Sequence, residues 1–347
     1  MQRHRIGRTS VMVTEMGLGG TGLGNMYTAV EEQAALDTIA EAYAVGIGHF
    51  DTAPVYGNGL SEMRLGQGLS RYARDDVTIS TKVGYTLEPL PPGEQSWDLF
   101  QGSLPFRSYV DFSHDAILRS LSESLERLGT DRIDIVWMHD PDEANSIKPG
   151  ADPYEVTHFA RAMDEAYPAL DELRSQGVIG AIGVGMNQWQ MLEDFALAGD
   201  FDCFLLAGRY TLLEQSALRS FLPLCAEKDI SVVIGGPYSS GILATGAVSG
   251  AYYNYAPAPE NIREWVRLID AVCHRYGVAL PAAALQFPLA HPAVVSVIPG
   301  ARSVAELRQN VEHFRAPIPG QFWAELKSLG LIDGAAPVPT GDIAQTS

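Results

Sequence analysis

The sequence predicts an α/β protein folded as a (β/α)8 TIM barrel with an N-terminal β-hairpin and long βα-loops. Short apolar runs rich in β-branched residues alternate with longer amphipathic stretches, and about eight such units follow one another. No linker, charge block or low-complexity segment divides the 347 residues. Strands that alternate with helices indicate parallel pairing through right-handed crossovers. Eight such units in one chain of this length favour a closed barrel.

The predicted strands are the apolar runs, most of which end beside a polar residue. In chain order they are VTEMGLGG, GIGHF before Asp51, DVTIST before Lys82, RIDIVWM before His139, VIGAIGVGM before Asn187, DCFLLAG before Arg209, ISVVIGG before Pro237, and AVVSVIPG, which ends at Gly300. Ahead of them, HRIGRTSVMV predicts a hairpin that turns at Gly7-Arg8. We assign residues 1–15 to this hairpin, 1–347 to one barrel domain, and 335–347 to a loose tail.

The predicted helices carry apolar residues at helical spacing. VEEQAALDTIAEAYAVG has acids in its first turn and ends at Gly46, as a helix should. SHDAILRSLSESLERLG opens with Ser113 as a predicted cap and places an apolar stripe at Ile117, Leu121, Leu125 and Leu128. Four further stretches behave alike: AYPALDELRSQG, SALRSFLPLCAEKD, IREWVRLIDAVCHRYG and VAELRQNVEHF.

Two predicted loops are long for a barrel, at 84–111 and 140–153, and the first is rich in aromatic residues. Both follow strands, so both are expected to rise over the catalytic face and to build a site or a lid; the alternative is a locally packed surface flap.

Composition excludes several classes of function. The formal net charge of −18 disfavours nucleic acid and anionic membranes as partners. No apolar run is long enough for a spanning helix, and the N-terminus lacks the apolar core of a secretory signal. Three scattered cysteines, Cys203, Cys225 and Cys273, indicate a reducing compartment, so we expect a cytoplasmic protein. The histidines and cysteines show no metal-ligand spacing. The oligomeric state stays open.

GLGGTG, from Gly17 to Gly22, fits the G-x-G-x-x-G dinucleotide fingerprint, but its context does not. The next helix is predicted to begin only near Ala29, and the acid that ends the next strand, Asp51, comes late. We therefore interpret the glycines as a tight turn or as a first loop close to a ligand, and reject a Rossmann fold.

A carboxylate, a phenol, an amine and an imidazole stand at the ends of successive predicted strands: Asp51 with Tyr56, then Lys82, then His139. Taken singly, each is equally consistent with a structural role, such as a helix cap or a surface charge. In a barrel these ends face one mouth, so the four groups are predicted to meet. An ammonium beside a phenol favours the phenolate and lowers its pKa. Tyr56 would then exchange a proton with a substrate carbonyl or hydroxyl.

Five motifs resemble the aldo-keto reductase superfamily, in register from about residue 4 to about residue 330: HFDTAPVYGNGLSE, STKVG, IVWMHDP, IGAIGVGMN and VIPGARSVAELRQN. The resemblance implies a (β/α)8 barrel that binds an extended nicotinamide cofactor across its mouth. It also implies Tyr56 as general acid/base, Lys82 as the group that lowers its pKa, Asp51 as the anchor of Lys82, and His139 as the residue that orients the substrate.

The resemblance also assigns the cofactor contacts: Asn187, Gly235, Pro237, Ser239, Gly241, Leu243, Gly300, Ala301, Arg302, Glu306, Gln309 and Asn310. Two positions depart from the family pattern. After the fifth strand, Gly185 replaces a serine and the carboxamide contact Asn187 comes one place later than in the family. After the seventh, Gly235 replaces an aromatic that stacks on the nicotinamide, a role that Tyr238 could take over.

Cofactor choice is predicted from charge. NADP-using relatives carry a lysine and an arginine where this chain has Gly300 and Glu306. Glu306 would repel a 2′-phosphate, whereas the nearby Arg302 could bind one. The sequence therefore favours NAD and leaves NADP open.

AYPALDELRSQGVIGAIGVGMNQW most resembles the branch of NAD(P)-dependent aldose 1-dehydrogenases and pyridoxal 4-dehydrogenase. It implies oxidation of a cyclic hemiacetal, such as L-fucose or a related sugar, to its lactone. The alternatives are oxidation of pyridoxal, NADPH-dependent reduction of aldehydes, and a non-catalytic relative like a channel subunit. Flat aromatic faces suit such substrates, so candidates for lining the pocket are Trp97, Trp137, Trp189 and Tyr210.

Overall fold

The computed structural model describes residues 1–94, 99–142 and 157–340. Its strands are β1 (Arg3–Arg5), β2 (Met12–Thr14), β3 (Leu18–Gly19), β4 (His49–Asp51), β5 (Thr78–Val83), β6 (Tyr85–Pro89), β7 (Phe106–Val110), β8 (Ile133–His139), β9 (Ile179–Met186), β10 (Cys203–Ala207), β11 (Ser231–Gly235), β12 (Tyr252–Tyr253), β13 (Ala256–Pro257) and β14 (Val294–Ile298).

The helices alternate with the barrel strands. They are α1 (Glu32–Ala44), α2 (Leu60–Leu69), α3 (His114–Leu128), α4 (Phe159–Arg161), α5 (Tyr167–Ser175), α6 (Trp189–Ala198), α7 (Phe221–Glu227), α8 (Ile242–Thr245), α9 (Glu260–Tyr276), α10 (Leu280–Gln286), α11 (Val304–Arg315) and α12 (Gly320–Ser328). A π-helical turn, Ala162–Ala166, leads into α5.

Eight strands form one sheet in the order β14-β11-β10-β9-β8-β5-β4-β3, and neighbouring strands in it pair in parallel. Parallel bridges between Met16 and Val297 and between Gly19 and Gly300 join its two edges. The sheet therefore closes, and the predicted barrel is confirmed. Each predicted apolar run overlaps one of these eight strands.

The core has two parts that follow from this closure. The larger cluster fills the space between the strands and the surrounding helices. The smaller one lies inside the barrel and includes Trp137, Leu205 and Ile298. Ile6 and Val13, from the hairpin of β1 and β2, pack against this interior cluster, so the hairpin covers one end of the barrel. The polar strand ends that sequence analysis selected lie at the other end.

Sequence analysis missed α2, because the stretch LSEMRLGQGL contains two glycines. The structure shows why glycine is needed at one of them. A Cβ on Gly66 would lie 2.3 Å from the carbonyl oxygen of Leu128, so this glycine lets α2 pack directly on the end of α3. The predicted side-chain cap is also wrong, because Ser113 occupies the N-cap of α3 without a capping hydrogen bond.

The two long loops differ in what the structure describes. Segment 84–111 contains an antiparallel hairpin of β6 and β7, and residues 95–98 lie outside the described part. In the second loop only 140–142 are described. GLGGTG continues from β3 into turns, and α1 begins only at Glu32, as the rejection of a Rossmann fold requires.

Among the described residues, no helix is both long and apolar enough to cross a membrane. Part of the predicted tail, 341–347, lies outside the described residues, and Ala336 at its start is buried.

Candidate active site

The four predicted catalytic side chains meet at one mouth of the barrel. Asp51 and His139 are the last residues of β4 and β8, and Lys82 lies near the end of β5. The Lys82 ammonium donates hydrogen bonds to Asp51 Oδ2 at 2.6 Å and to the Thr52 carbonyl at 2.7 Å. The same Nζ lies 4.7 Å from the centroid of the Tyr56 ring. The structure thus places a buried cation against the phenol, with its charge balanced by Asp51.

Asp51 is held from its other side by two further donors. The Ser80 hydroxyl donates to Asp51 Oδ1 at 2.7 Å, and the Trp137 indole N–H reaches the same oxygen at 3.1 Å. Behind Ser80, His49 Nε2 lies 3.1 Å from the serine oxygen. All of these side chains are buried, so the charged pair sits inside a closed set of hydrogen bonds.

Tyr56 is presented by a tight turn between β4 and α2. Its N–H donates to the Ala53 carbonyl at 3.1 Å, and three residues after it have positive φ: Gly57, Asn58 and Gly59. The chain reverses there, as the glycines in the sequence suggest. The His139 ring meets the Tyr56 ring edge-on, with centroids 6.0 Å apart.

Burial dominates the electrostatics of the mouth. It raises the pKa of Tyr56 well above its ordinary value, and the carboxylates of Asp51 and Asp140 add to that. That Lys82 favours the phenolate stays a prediction, since burial and the two carboxylates set the net direction of this pKa. Burial and the nearby Lys82 hold the pKa of His139 well below its ordinary value, so the imidazole is neutral.

Asp140 is a charged residue of the mouth that sequence analysis did not select. Its Oδ2 lies 3.7 Å from His139 Nε2, and burial together with Asp142 raises its pKa to about 7. Its side chain is 32% exposed, so the carboxylate still reaches solvent. The sequence marks Asp140 only by its position, directly after His139.

Two aromatic residues of the first long loop line the pocket. Phe100 stacks on Tyr56 with ring centroids 5.8 Å apart, and Tyr85 meets His139 with centroids 5.4 Å apart. Phe100 is held in place by a bridge to Met26 in the loop after β3. Sequence analysis counted both among the loop aromatics without selecting either. Phe100 thus gives the phenol a flat, apolar neighbour, and Tyr85 places a ring against the imidazole.

The residues predicted to line the pocket do not do so where the structure tests them. Trp137 has no exposed surface and lies inside the barrel, where it bonds Asp51. Tyr210 is equally buried and packs against Phe287 and His291. Both predictions are wrong. The sequence of a buried strand and its end does not show whether a ring points toward the pocket or into the core. Trp189 donates to Ser216 Oγ at 2.9 Å, and Trp97 lies outside the described residues.

Asn187 follows β9, at the same mouth of the barrel. Its amide N–H donates to the Ala207 carbonyl at 2.8 Å and reaches the Tyr255 hydroxyl at 3.5 Å. Tyr255 belongs to the β12–β13 hairpin, and its N–H donates to Ser240 Oγ at 3.0 Å. Tyr255 is thus an aromatic of the mouth that sequence analysis missed, whereas Tyr238 bonds Asn310 Oδ1 at 2.7 Å.

The other residues predicted to contact cofactor continue from Asn187 along the ends of β11 and β14. They are Gly235, Pro237, Ser239, Gly241, Leu243, Gly300, Ala301, Arg302, Glu306, Gln309 and Asn310. Ser239, Ser240 and Gly241 all have positive φ, a costly backbone for two serines. A Cβ on Gly241 would meet nothing within 4 Å. These predicted cofactor contacts therefore combine a strained turn with open space beside it. The combination fits an extended ligand such as a dinucleotide.

Several of these residues have their side chains engaged or buried; Ser239 Oγ, for example, donates to Thr211 Oγ1 at 3.1 Å. The Asn310 amide donates to the Gly300 carbonyl at 3.2 Å and accepts from Tyr238, so it ties β14 to the turn after β11. Leu243 and Ala301 are buried, which leaves their backbone as the part that a ligand could reach. Gln309 is exposed on α11.

Arg302 and Glu306 form an ion pair at the start of α11. Arg302 Nη2 lies 2.8 Å from Glu306 Oε1, and the Arg302 backbone N–H donates to Oε2 at 2.9 Å. Glu306 thus pairs with Arg302, the cation that sequence analysis considered as a binding group for a 2′-phosphate.

Comparison with known proteins agrees with this geometry. Residues 15–330 match the Aldo/keto reductase family. The chain is 40% identical over 341 residues to pyridoxal 4-dehydrogenase of Microbacterium luteolum, covering 95% of this chain and 98% of that one. It is 37% identical over 325 residues to D-threo-aldose 1-dehydrogenase of a Pseudomonas species, covering 92% and 95%.

Solved structures share the fold. An aldo-keto reductase from Bacillus halodurans in its holo form superposes with a TM-score of 0.72 at 24% identity, covering 99% of both chains. Glycerol dehydrogenase from Gluconobacter oxydans gives a TM-score of 0.70 at 19% identity, covering 97% of both. At these identities the likeness concerns the barrel alone.

Proposed function

Since this chain belongs to the aldo/keto reductase family, we propose that it is an NAD-dependent dehydrogenase that oxidises a cyclic hemiacetal to its lactone. The observation that carries the proposal is the Tyr56 phenol at the barrel mouth, set between the Lys82 ammonium and the His139 ring. Nicotinamide cofactors are the redox partners of this family. Both similar dehydrogenases named above support the direction of oxidation.

In this proposal each side chain has a separate role at one hydroxyl group of the substrate. Tyr56 takes the hydroxyl proton as general base. Lys82 stabilises the phenolate that acts as this base, and Asp51 keeps Lys82 in place. The neutral His139 hydrogen-bonds the same substrate oxygen and orients it. When bound, the nicotinamide supplies the acceptor for the hydride that leaves the carbon.

The substrate class follows from what surrounds the phenol. We propose a sugar hemiacetal first, because its C–H faces can lie against the Phe100 and Tyr85 rings. Pyridoxal is the second candidate, and the same stacked arrangement of Phe100 favours it, since a pyridine ring is flat on both faces. The two candidates share the chemistry and differ only in the walls of the pocket.

NAD is proposed over NADP because Glu306 neutralises Arg302. A 2′-phosphate needs a free cation, preferably a forked guanidinium. With Glu306 in place, NADP would have to break an ion pair and face a carboxylate at the same time.

Glu306→Gln is therefore expected to shift cofactor preference toward NADP, with the ratio of the two dissociation constants moving about tenfold. The amide keeps an acceptor for the Arg302 N–H but removes the charge. Dissociation constants for NAD and NADP can be measured by quenching of protein fluorescence. Glu312→Gln, an exposed site on the same helix, is the matched control. An unchanged ratio in Glu306→Gln would contradict the assigned role.

The rate of oxidation is expected to rise with pH. The base must be unprotonated, and burial raises the pKa of Tyr56, so only a small fraction is ionised near neutrality. The logarithm of kcat should rise with a slope of about one per pH unit through the mildly alkaline range. His139 is neutral throughout this range and adds no inflection. A flat profile between pH 7 and 10, with a deuterium isotope effect showing that hydride transfer limits the rate, would contradict a tyrosine base.

The proposal is tested by following NADH formation at mildly alkaline pH with NAD or NADP. The panel contains L-fucose, L-galactose, L-rhamnose, D-arabinose, D-glucose and pyridoxal. Turnover of a sugar with NAD supports the main proposal, and turnover of pyridoxal alone supports the second candidate. Silence across the panel, with NADPH-linked reduction of simple aldehydes, would overturn the direction. Silence in both directions would favour a non-catalytic protein.

A further inference from the structure

The Asp51 carboxylate accepts more hydrogen bonds than its ion pair with Lys82 alone would provide. Oδ2 receives the Lys82 ammonium, while Oδ1 receives both the Ser80 hydroxyl and the Trp137 indole N–H. Ser80 and Trp137 are fully buried within the barrel strands. Neither was assigned a role in catalysis by the family motifs. Two buried donors on one oxygen fix the plane and the position of this carboxylate.

The position of Asp51 in turn determines where Lys82 can act. An ammonium has three hydrogens. Two of them are directed to Asp51 Oδ2 and to the Thr52 carbonyl, which lie on the side of β4. The third is left for the side of Tyr56, whose ring centroid is 4.7 Å from Nζ. A shift of the carboxylate would therefore turn the ammonium away from the phenol.

The direction of each hydrogen bond behind Asp51 follows from the chemistry of the groups. The Ser80 hydroxyl has one hydrogen, and an anionic acceptor takes it at 2.7 Å. Ser80 Oγ must then accept from His49, so the His49 ring carries its proton on Nε2. Burial lowers the pKa of His49 to about 4, so this ring is neutral and donates only once. His49 thus fixes the rotamer of the Ser80 hydroxyl.

We propose that Ser80 and Trp137 are positioning residues, which hold Asp51 so that Lys82 faces Tyr56, and that His49 orients Ser80. This inference rests on the proposed role of Tyr56 in proton transfer. The charged or titratable groups facing the Tyr56 side chain are Asp51, Lys82, His139, Asp140 and Tyr255. Ser80 and Trp137 act on the first two of these alone.

Loss of either donor should raise the apparent pKa of Tyr56. The two donors share the negative charge of Asp51. Without one of them, more of that charge is left to draw Lys82 toward Asp51 and to oppose ionisation of the phenol. The acid form of Tyr56 is then favoured.

The experiment compares Ser80→Ala and Trp137→Phe with matched controls. The control for Ser80→Ala is Ser296→Ala, which removes a buried β14 hydroxyl that donates to the Thr14 carbonyl at 2.8 Å. The control for Trp137→Phe is Trp323→Phe, which removes a buried indole whose N–H has no partner among the described residues. We expect each test variant to lose about tenfold in kcat at pH 7.5, with the pH profile displaced upward by about one unit and the KM nearly unchanged. The controls should keep the wild-type profile. Raising the pH should restore most of the lost rate in the test variants only.

Two results would overturn the inference. One is an unchanged apparent pKa in both test variants. The other is a loss of kcat and melting temperature in the test variants that the controls match, with no displacement of the profile, which would indicate a packing role. Failure of the proposed function would instead be seen in the wild-type protein, which would oxidise no hemiacetal. In that case the same variants are compared in aldehyde reduction, where Tyr56 gives the proton and its alkaline limit should move upward.

Discussion

Tyr56→Phe is expected to reduce kcat by about three orders of magnitude, because the variant keeps the ring and loses the only group proposed to take the proton. The ring still stacks on Phe100 and still borders His139, so the pocket keeps its shape. The dissociation constant for NAD should stay nearly unchanged. Steady-state turnover and a fluorescence titration with NAD separate the two effects.

The comparison variant for this experiment is Tyr85→Phe. It removes a phenol oxygen from a neighbouring ring of the same pocket, 5.4 Å from the His139 ring. We expect it to retain the alkaline rise in kcat, whereas the residual rate of Tyr56→Phe should lose that rise. A Tyr56→Phe protein with the pH dependence and turnover of the wild type would assign the proton to another group.

The strand ends that carry the candidate site could be predicted from sequence because two simple regularities define them. Apolar β-branched runs locate the strands, and parallel connectivity brings their ends to one mouth. Asp51, Lys82 and His139 therefore needed no knowledge of side-chain packing. Tyr56 followed from its place in a glycine-rich turn that comes directly after a strand.

The orientation of buried rings could not be predicted in the same way. A strand that is buried on both faces reads as a continuous apolar run, without the alternation that distinguishes inside from outside. Trp137 lies in the barrel interior and Tyr210 lies against Phe287, yet both follow or belong to similar apolar runs. Nothing local in the sequence separates these two environments.

The walls of the pocket depend on contacts between distant loops. The Leu99 carbonyl accepts from the Tyr27 N–H at 2.9 Å, and this contact helps bring Phe100 onto Tyr56. Backbone contacts of this kind leave no pattern in the side chains. The net shift of the Tyr56 pKa could not be predicted from sequence for a related reason. Its direction depends on burial, which only the folded loops determine.

Lys82→Met is expected to lower the activity and to lower the free energy of unfolding by about 3–5 kcal/mol. The substitution leaves a buried carboxylate without its counter-ion. Lys82 and Asp51 side chains are 2% and 3% exposed, and their charged atoms lie 2.6 Å apart. Water cannot replace the lost cation there without opening the barrel. Urea denaturation monitored by circular dichroism gives the free energy, and kcat should fall at least about a hundredfold.

The double variant Asp51→Asn/Lys82→Met separates the structural part of this loss from the catalytic part. Removing both charges leaves no uncompensated ion, and the asparagine oxygen can still accept from Ser80 and Trp137. The double variant should therefore be more stable than Lys82→Met alone, with a coupling energy of about 2–3 kcal/mol in the double-mutant cycle.

The activity of the double variant should not return, because the cation beside Tyr56 is still missing. If stability and activity recovered together, Lys82 would serve only to neutralise Asp51. If neither recovered, the pair would not be coupled as the 2.6 Å contact indicates. Recovery of stability alone would leave stabilisation of the phenolate as the function of the lysine.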